Sequence, residues 1–146
     1  MTNEAAKFAV WEERYNLGIE IVDKQHRYLV SIINELFEAC KKSKDEANTA
    51  FRSSIKEITD YIKNHFKTEE DIFVKYQYPN YRIHKQQHEQ FILKTIEYVK
   101  DFESGKLYVP NNFVRYLKDW LLEHIAVSDK EYEKYFASKG IVVSVS

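Results

Sequence analysis

Five histidines stand in this chain, at positions 26, 65, 84, 88 and 124, and each falls where a helix would turn its apolar stripe inward. Burying that many imidazoles beside a carboxylate is costly unless each finds a partner. A metal ion removes the cost, because imidazole nitrogen and carboxylate oxygen become its ligands. The spacing points the same way. His65 and Glu69 are four apart, as are His84 and His88, and residues four apart project side by side from one helix face. Glu70 and Asp71 prolong the acidic run but rotate off that face, and they read as a solvated surface. Asp129 follows His124 by five, which on a regular helix swings it about 140° away. By that geometry alone Asp129 reads as an exposed helix residue.

The elements that must position these groups are helices. Four segments carry apolar residues at alternating spacings of three and four, the pattern of an inward-facing stripe. Val22, His26, Leu29, Ile33, Leu36 and Cys40 form the first. The second runs Phe51, Ile55, Ile58, Ile62, His65, Glu69, Ile72. The third runs Tyr81, His84, His88, Phe91, Thr95, Tyr98, Phe102, and the fourth Phe113, Leu117, Trp120, His124, Val127. Breaks fall at residues 41–45, at Pro79-Asn80 and at Ser104-Gly105; Pro110 with Asn111 and Asn112 starts the last helix and Gly140 stops it. The expected helices are residues 18–41, 46–77, 81–104 and 111–138, after an extended arm over 1–17 and before a short tail over 141–146. Short connections make neighbours antiparallel. The expectation is an all-α, up-down-up-down four-helix bundle with an N-terminal arm, one domain over residues 1–146. With alternating directions, all the histidines fall near one end of that bundle, so a single site can collect them.

Composition narrows the rest. The chain has 146 residues, 44% hydrophobic and 31% charged, with three Gly and two Pro: a helical globular protein, poor in turn-formers. A net charge of −1 gives no bulk field to draw nucleic acid or an anionic membrane. No stretch approaches the ~18 apolar residues of a membrane span, and the first ten residues do not read as a signal peptide. The expected location is cytoplasmic. Cys40 is the sole cysteine; it lies about 21 Å along the helix from His26 and reads as a small buried hydrophobe rather than a ligand.

The ordered set Trp11-Glu12, Tyr15, Gly18, Asp23-Lys24-Gln25-His26, His65 with Glu69, His84 with His88, then Trp120-Leu121-Leu122-Glu123-His124-Ile125, Asp129 and Tyr132 resembles the hemerythrin family in its single-domain bacterial form. The resemblance runs through nearly the whole chain and fills every ligand position of the family. It implies one iron held by His84, His88 and His124, and a second by His26 and His65. Glu69 and Asp129 would each bridge the pair, with an oxo or hydroxo group as the third bridge. Two Fe2+/Fe3+ ions so held leave one coordination position open, on the iron with two histidines. The implied function is reversible binding of molecular oxygen, for storage, for delivery to an oxygen-using protein, or for sensing.

Such a site needs a shell that keeps water out. Leu29, Phe66, Trp120, Leu121 and Ile125 flank the ligands and are the candidates for an oxygen pocket. No catalytic residue is expected, and the chain reads as a carrier rather than an enzyme. The alternative is a di-iron redox or peroxidase-like enzyme. Ferritin-like oxygen-activating sites take four carboxylates, two of them in Glu-x-x-His motifs; this chain has no Glu-x-x-His, and its candidate site is rich in histidine.

Overall fold

A computed structural model describes residues 7–144; the expectations that touch residues 1–6 and 145–146 lie outside the described residues. Helix α1 spans Glu20–Cys40, α2 Lys44–Lys75, α3 Tyr81–Glu103 and α4 Val109–Glu123. A single π turn, His124–Asp129, then joins α4 to α5, Lys130–Ser138. The chain thus makes a four-helix bundle whose last helix is one long rod with an altered turn in its middle. α1 packs on α2 and α4, and α3 packs on the same two from the other side.

Local chemistry sets the boundaries. Ser43 caps α2 by accepting from the Glu46 amide at 3.1 Å, which satisfies one of the free amides of the first turn and starts the helix at Lys44, two residues ahead of expectation. α2 ends where Gln77 takes a positive φ of 53°. α4 begins at Val109, with Pro110 in its first turn, where a missing amide costs nothing.

Two apolar cores flank the histidine layer. The larger is built on Ile33, Leu36, Phe51, Ile58, Phe113 and Leu117. The smaller closes the other end with Leu17, Val22, Ile72, Phe73, Tyr132 and Phe136. The described part of the chain ahead of α1, from residue 7, forms an arm that lies against the bundle. It makes one 3₁₀ turn at Glu13–Tyr15 and folds onto the bundle, because Asn34 takes both the amide and the carbonyl of Ala9 at 2.8 Å. Asp23, inside α1, then accepts the amides of Leu17 and Gly18 at 2.8 and 3.1 Å. The tail is tied too, by the Ser144 amide donating to the Tyr76 hydroxyl. Cys40 is only half-buried, at the rim of the larger core rather than inside it. Among the described residues no helix is long and apolar enough to cross a membrane.

Candidate metal centre

All four rods contribute to one buried layer: His26 from α1, His65 and Glu69 from α2, His84 and His88 from α3, His124 and Asp129 from the ends of the π turn. None of the seven is more than 6% exposed. Among the described residues their ligand atoms fall into two groups, Glu69 with His84, His88 and His124, and His26 with His65, Glu69 and Asp129. Glu69 belongs to both. Its Oε1 lies 3.2 Å from His88 Nε2 and 3.5 Å from His65 Nε2. Asp129 also spans the groups, with Oδ1 3.0 and 3.2 Å from the Nε2 atoms of His84 and His124, and Oδ2 3.2 Å from that of His26.

Asp129 is fully buried, against the regular-helix expectation, and the π turn is the reason. The Lys130 amide bonds back to the carbonyl of Ile125, five residues earlier, so the turn takes up one more residue than an α turn and residues five apart return to the same face. The same turn overturns the inward placement of Val127, which stands 55% exposed. One extra residue has been pushed to solvent, and the carboxylate behind it has been turned in.

Electrostatics at the layer are those of a cation site. Burial disfavours charge on His65, Glu69, His84, His88 and Asp129. It carries His65 down to about 3, the nearby carboxylates notwithstanding. At His84 burial acts in the same direction, yet the close carboxylates of Asp129 and Glu69 outweigh it and raise the ring to about 10. His88 is raised in the same way by Glu69 and Glu70 against its own desolvation. Burial works to protonate Glu69 and Asp129 as well, but His65, His84 and His88 hold the first well below the ordinary carboxylate range. His124, His26 and His84 do so for the second. Without metal, then, a proton on His84 supplies positive charge that the two carboxylates call for.

The decisive atoms are the unpartnered ones. Glu69 Oε1, both oxygens of Asp129 and Nε2 of His88 are buried with no hydrogen bond of acceptable geometry, although imidazole nitrogens crowd within 3.0–3.7 Å of the carboxylate oxygens. Opposed Nε2 atoms meet at 2.9 Å in His26–His65 and 3.1 Å in His84–His124. Buried polar groups are ordinarily satisfied; atoms converging without being satisfied are what a metal pair between the two groups would complete. The residues present fit two metal ions.

Behind the inner layer sit residues that hold its rings in place through their outer nitrogens, the support a metal-binding histidine would need. Gln25 Oε1 accepts from His65 Nδ1 at 2.8 Å and is itself held by Thr68. Glu70 Oε2 accepts from His88 Nδ1 at 2.9 Å, so Glu70 is not the solvated residue expected: its side chain is only 23% exposed. The Tyr132 hydroxyl donates to Glu69 Oε2 at 2.7 Å. Sequence spacing missed Glu70 because it judged the residue against its own helix; the partner lies on α3. Phe66 stacks on the His88 ring at 3.8 Å and Trp120 on His124 at 4.4 Å. Leu29, Phe66, Trp120 and Leu121, with Ile33, Ile58, Ile62, Phe91 and Leu117, line a cavity of about 10 Å³. Ile125 is fully buried but takes no part in that lining.

Residues 17–136, which carry all seven side chains, match the hemerythrin HHE cation binding domain. The chain belongs to the hemerythrin family. Similar members include the bacteriohemerythrin of Stenotrophomonas maltophilia, 34% identical over 84% of this chain and 78% of the relative. That of Pseudomonas aeruginosa is 36% identical over the same shares. A hemerythrin-like protein of Naegleria gruberi is 29% identical over 84% of this chain and 89% of its own. Among solved structures, a wild-type hemerythrin superposes with a TM-score of 0.74 at 26% identity, covering 87% of this chain and 96% of that one. In the present chain, a histidine and carboxylate cluster able to hold metal lies inside the bundle.

Proposed function

We propose that this chain binds molecular oxygen reversibly at a pair of iron ions, and that it stores, delivers or senses oxygen rather than transforming it. His84, His88 and His124 would hold one iron and His26 and His65 the other, with Glu69 and Asp129 within reach of both. The observation that carries this reading is the set of three buried carboxylate oxygens, Glu69 Oε1 and both of Asp129, that face the two histidine groups without a hydrogen bond. When bound, the iron pair would supply the electrons and the binding site that reversible oxygen binding draws on.

The chain's own residues do the rest. Gln25 and Glu70 fix the His65 and His88 rings through their outer nitrogens, and Tyr132 fixes Glu69 through Oε2, leaving Oε1 free to face both histidine groups. Leu29, Phe66, Trp120 and Leu121 leave room for a single water-sized molecule and present no proton donor of moderate acidity. An oxygen-activating enzyme needs a positioned acid near its working pH. The titratable neighbours do not serve. Burial and the charges of Glu69 and Asp129 push the Tyr132 phenol well above its ordinary value, and Glu70 sits behind His88, away from the cavity lining.

The test is an absorption spectrum of the reduced, iron-loaded protein before air, after air and after oxygen is removed. One oxygen taken up per iron pair and returned, with the reduced spectrum recovered, is the expected result. Steady oxygen consumption with a reductant would overturn the carrier reading in favour of a di-iron redox enzyme, and metal analysis giving one iron per chain would overturn the pair.

A further inference from the structure

The outer face of α3 carries apolar side chains that the bundle does not use. Leu93 is 64% exposed, Ile96 44% and Ile92 37%, while the helix meets its own bundle through His84, His88, Phe91 and Thr95. Leu93 and Ile96 lie on a stripe whose ends are charged: Glu89 precedes Leu93 by four residues and Lys100 follows Ile96 by four. Spacings of four, three and four keep all of them on one side of the helix, and all are exposed. Glu89 and Lys100 form no ion pair with any described residue, whereas the neighbouring Lys94 is already paired with Glu97.

The stripe is therefore a palindrome of opposite ends: acid, leucine, isoleucine, base. A two-fold axis through the point midway between Leu93 and Ile96 lays a second α3 antiparallel on the first. Each leucine then meets an isoleucine, and each Glu89 meets a Lys100, twice over. The parallel arrangement would set Glu89 on Glu89 and Lys100 on Lys100. Isologous contacts need this self-complementarity, and stripes of three-four spacing are what antiparallel helices interleave at shallow angles.

We infer that α3 is a self-docking surface, on which two copies of this chain associate antiparallel through Leu93 and Ile96 with Glu89 against Lys100 of the second copy. A contact of one helix per copy is smaller than a standard interface, which places the association in the weak, concentration-dependent class.

Analytical ultracentrifugation of the iron-loaded full chain, over a concentration range reaching the millimolar, tests this. The wild type is expected to pass from monomer to dimer. Glu89→Lys or Lys100→Glu alone turns both attractive pairs repulsive and weakens the dimer about tenfold or more. The double variant Glu89→Lys with Lys100→Glu restores it, and Leu93→Ser weakens it without changing the charge pattern. Helical circular dichroism checks that each variant folds. A wild type that stays monomeric throughout, single reversals that associate like the wild type, or a double variant that fails to recover would each overturn the inference; association into larger species would too, since the two-fold contact closes on itself.

Discussion

Asp129 lies buried with Oδ1 facing the rings of His84 and His124 and Oδ2 facing that of His26. If it spans the metal pair, Asp129→Ala loses iron as severely as Glu69→Ala, measured as iron per chain after desalting. A solvent-facing residue would have cost within ~0.5 kcal/mol and no metal. Glu70 gives a graded counterpart. Glu70→Ala leaves the His88 ring without its 2.9 Å partner, and the expected loss is about 10–100-fold in metal affinity, with Glu70→Gln closer to wild type because an amide oxygen still accepts. Competition against a chelator of known affinity reads both. Six of the seven inner residues were legible from spacing alone, since imidazoles and a carboxylate on apolar seams are too costly to bury without a shared partner. Asp129 became a candidate only through family resemblance, and Glu70 and Gln25 were not legible as supports, since what each does depends on a neighbouring helix.

The π turn governs the fourth rod. It holds one residue more than an α turn, and the rod stays in phase on both sides: Trp120 stacks on His124 before it, and Tyr132 reaches Glu69 after it. Removing Val127 would leave the aspartate four residues after His124, the spacing at which an α-helix itself puts two side chains on one face. The deletion variant is therefore expected to fold and to keep iron. Removing a residue from inside α4 instead, such as exposed Arg115, rotates everything that precedes it by about 100° against the site and is expected to abolish iron binding. Iron content and helicity of the two deletions separate these outcomes; equal losses would show that the π turn is not a tolerated insertion. The helices were legible as elements because Gly and Pro are scarce and the three-four rhythm is unbroken over α1 to α4. The turn was not, because its signature is one residue out of phase, and Val127 sits where a regular seam would put an apolar group.

At the scale of the molecule, protons and metal compete for one cavity. In the metal-free protein His65 is held at about 3, below the ~6.5 of an unfolded imidazole. The unfolded chain therefore binds a proton that the fold refuses, and stability falls as pH drops from ~6.5 towards 3. His84 is raised to about 10. Its contribution is complete below ~6.5 and is lost as pH climbs from there through 10. The depressed Glu69 and Asp129 add to the loss on the acid side alone. Urea midpoints of the metal-free chain should thus peak near pH ~6.5 and decline on both sides. Loading with iron, which needs neutral imidazoles, should remove the alkaline decline and release protons measurable in weakly buffered solution. Leu121→Glu, which sets an acid in the apolar wall, should admit water and speed loss of the oxygenated spectrum to the oxidised one.

The sealing of the site also sets a clock. None of the seven inner side chains is more than 6% exposed, and they come from four rods, so no chelator can touch a bound ion while the bundle is closed. Escape must wait for the end of the bundle to breathe, a local opening with its own free energy. Stripping by an excess of chelator should therefore reach a ceiling rate that no longer rises with chelator concentration. That ceiling is the opening rate itself. Variants that free the folded-back N-terminal segment, such as Asp23→Ala, should raise it while leaving the absorption spectrum of the bound pair unchanged. The residence time of the iron would then report, without any label, how often this end of the molecule comes apart.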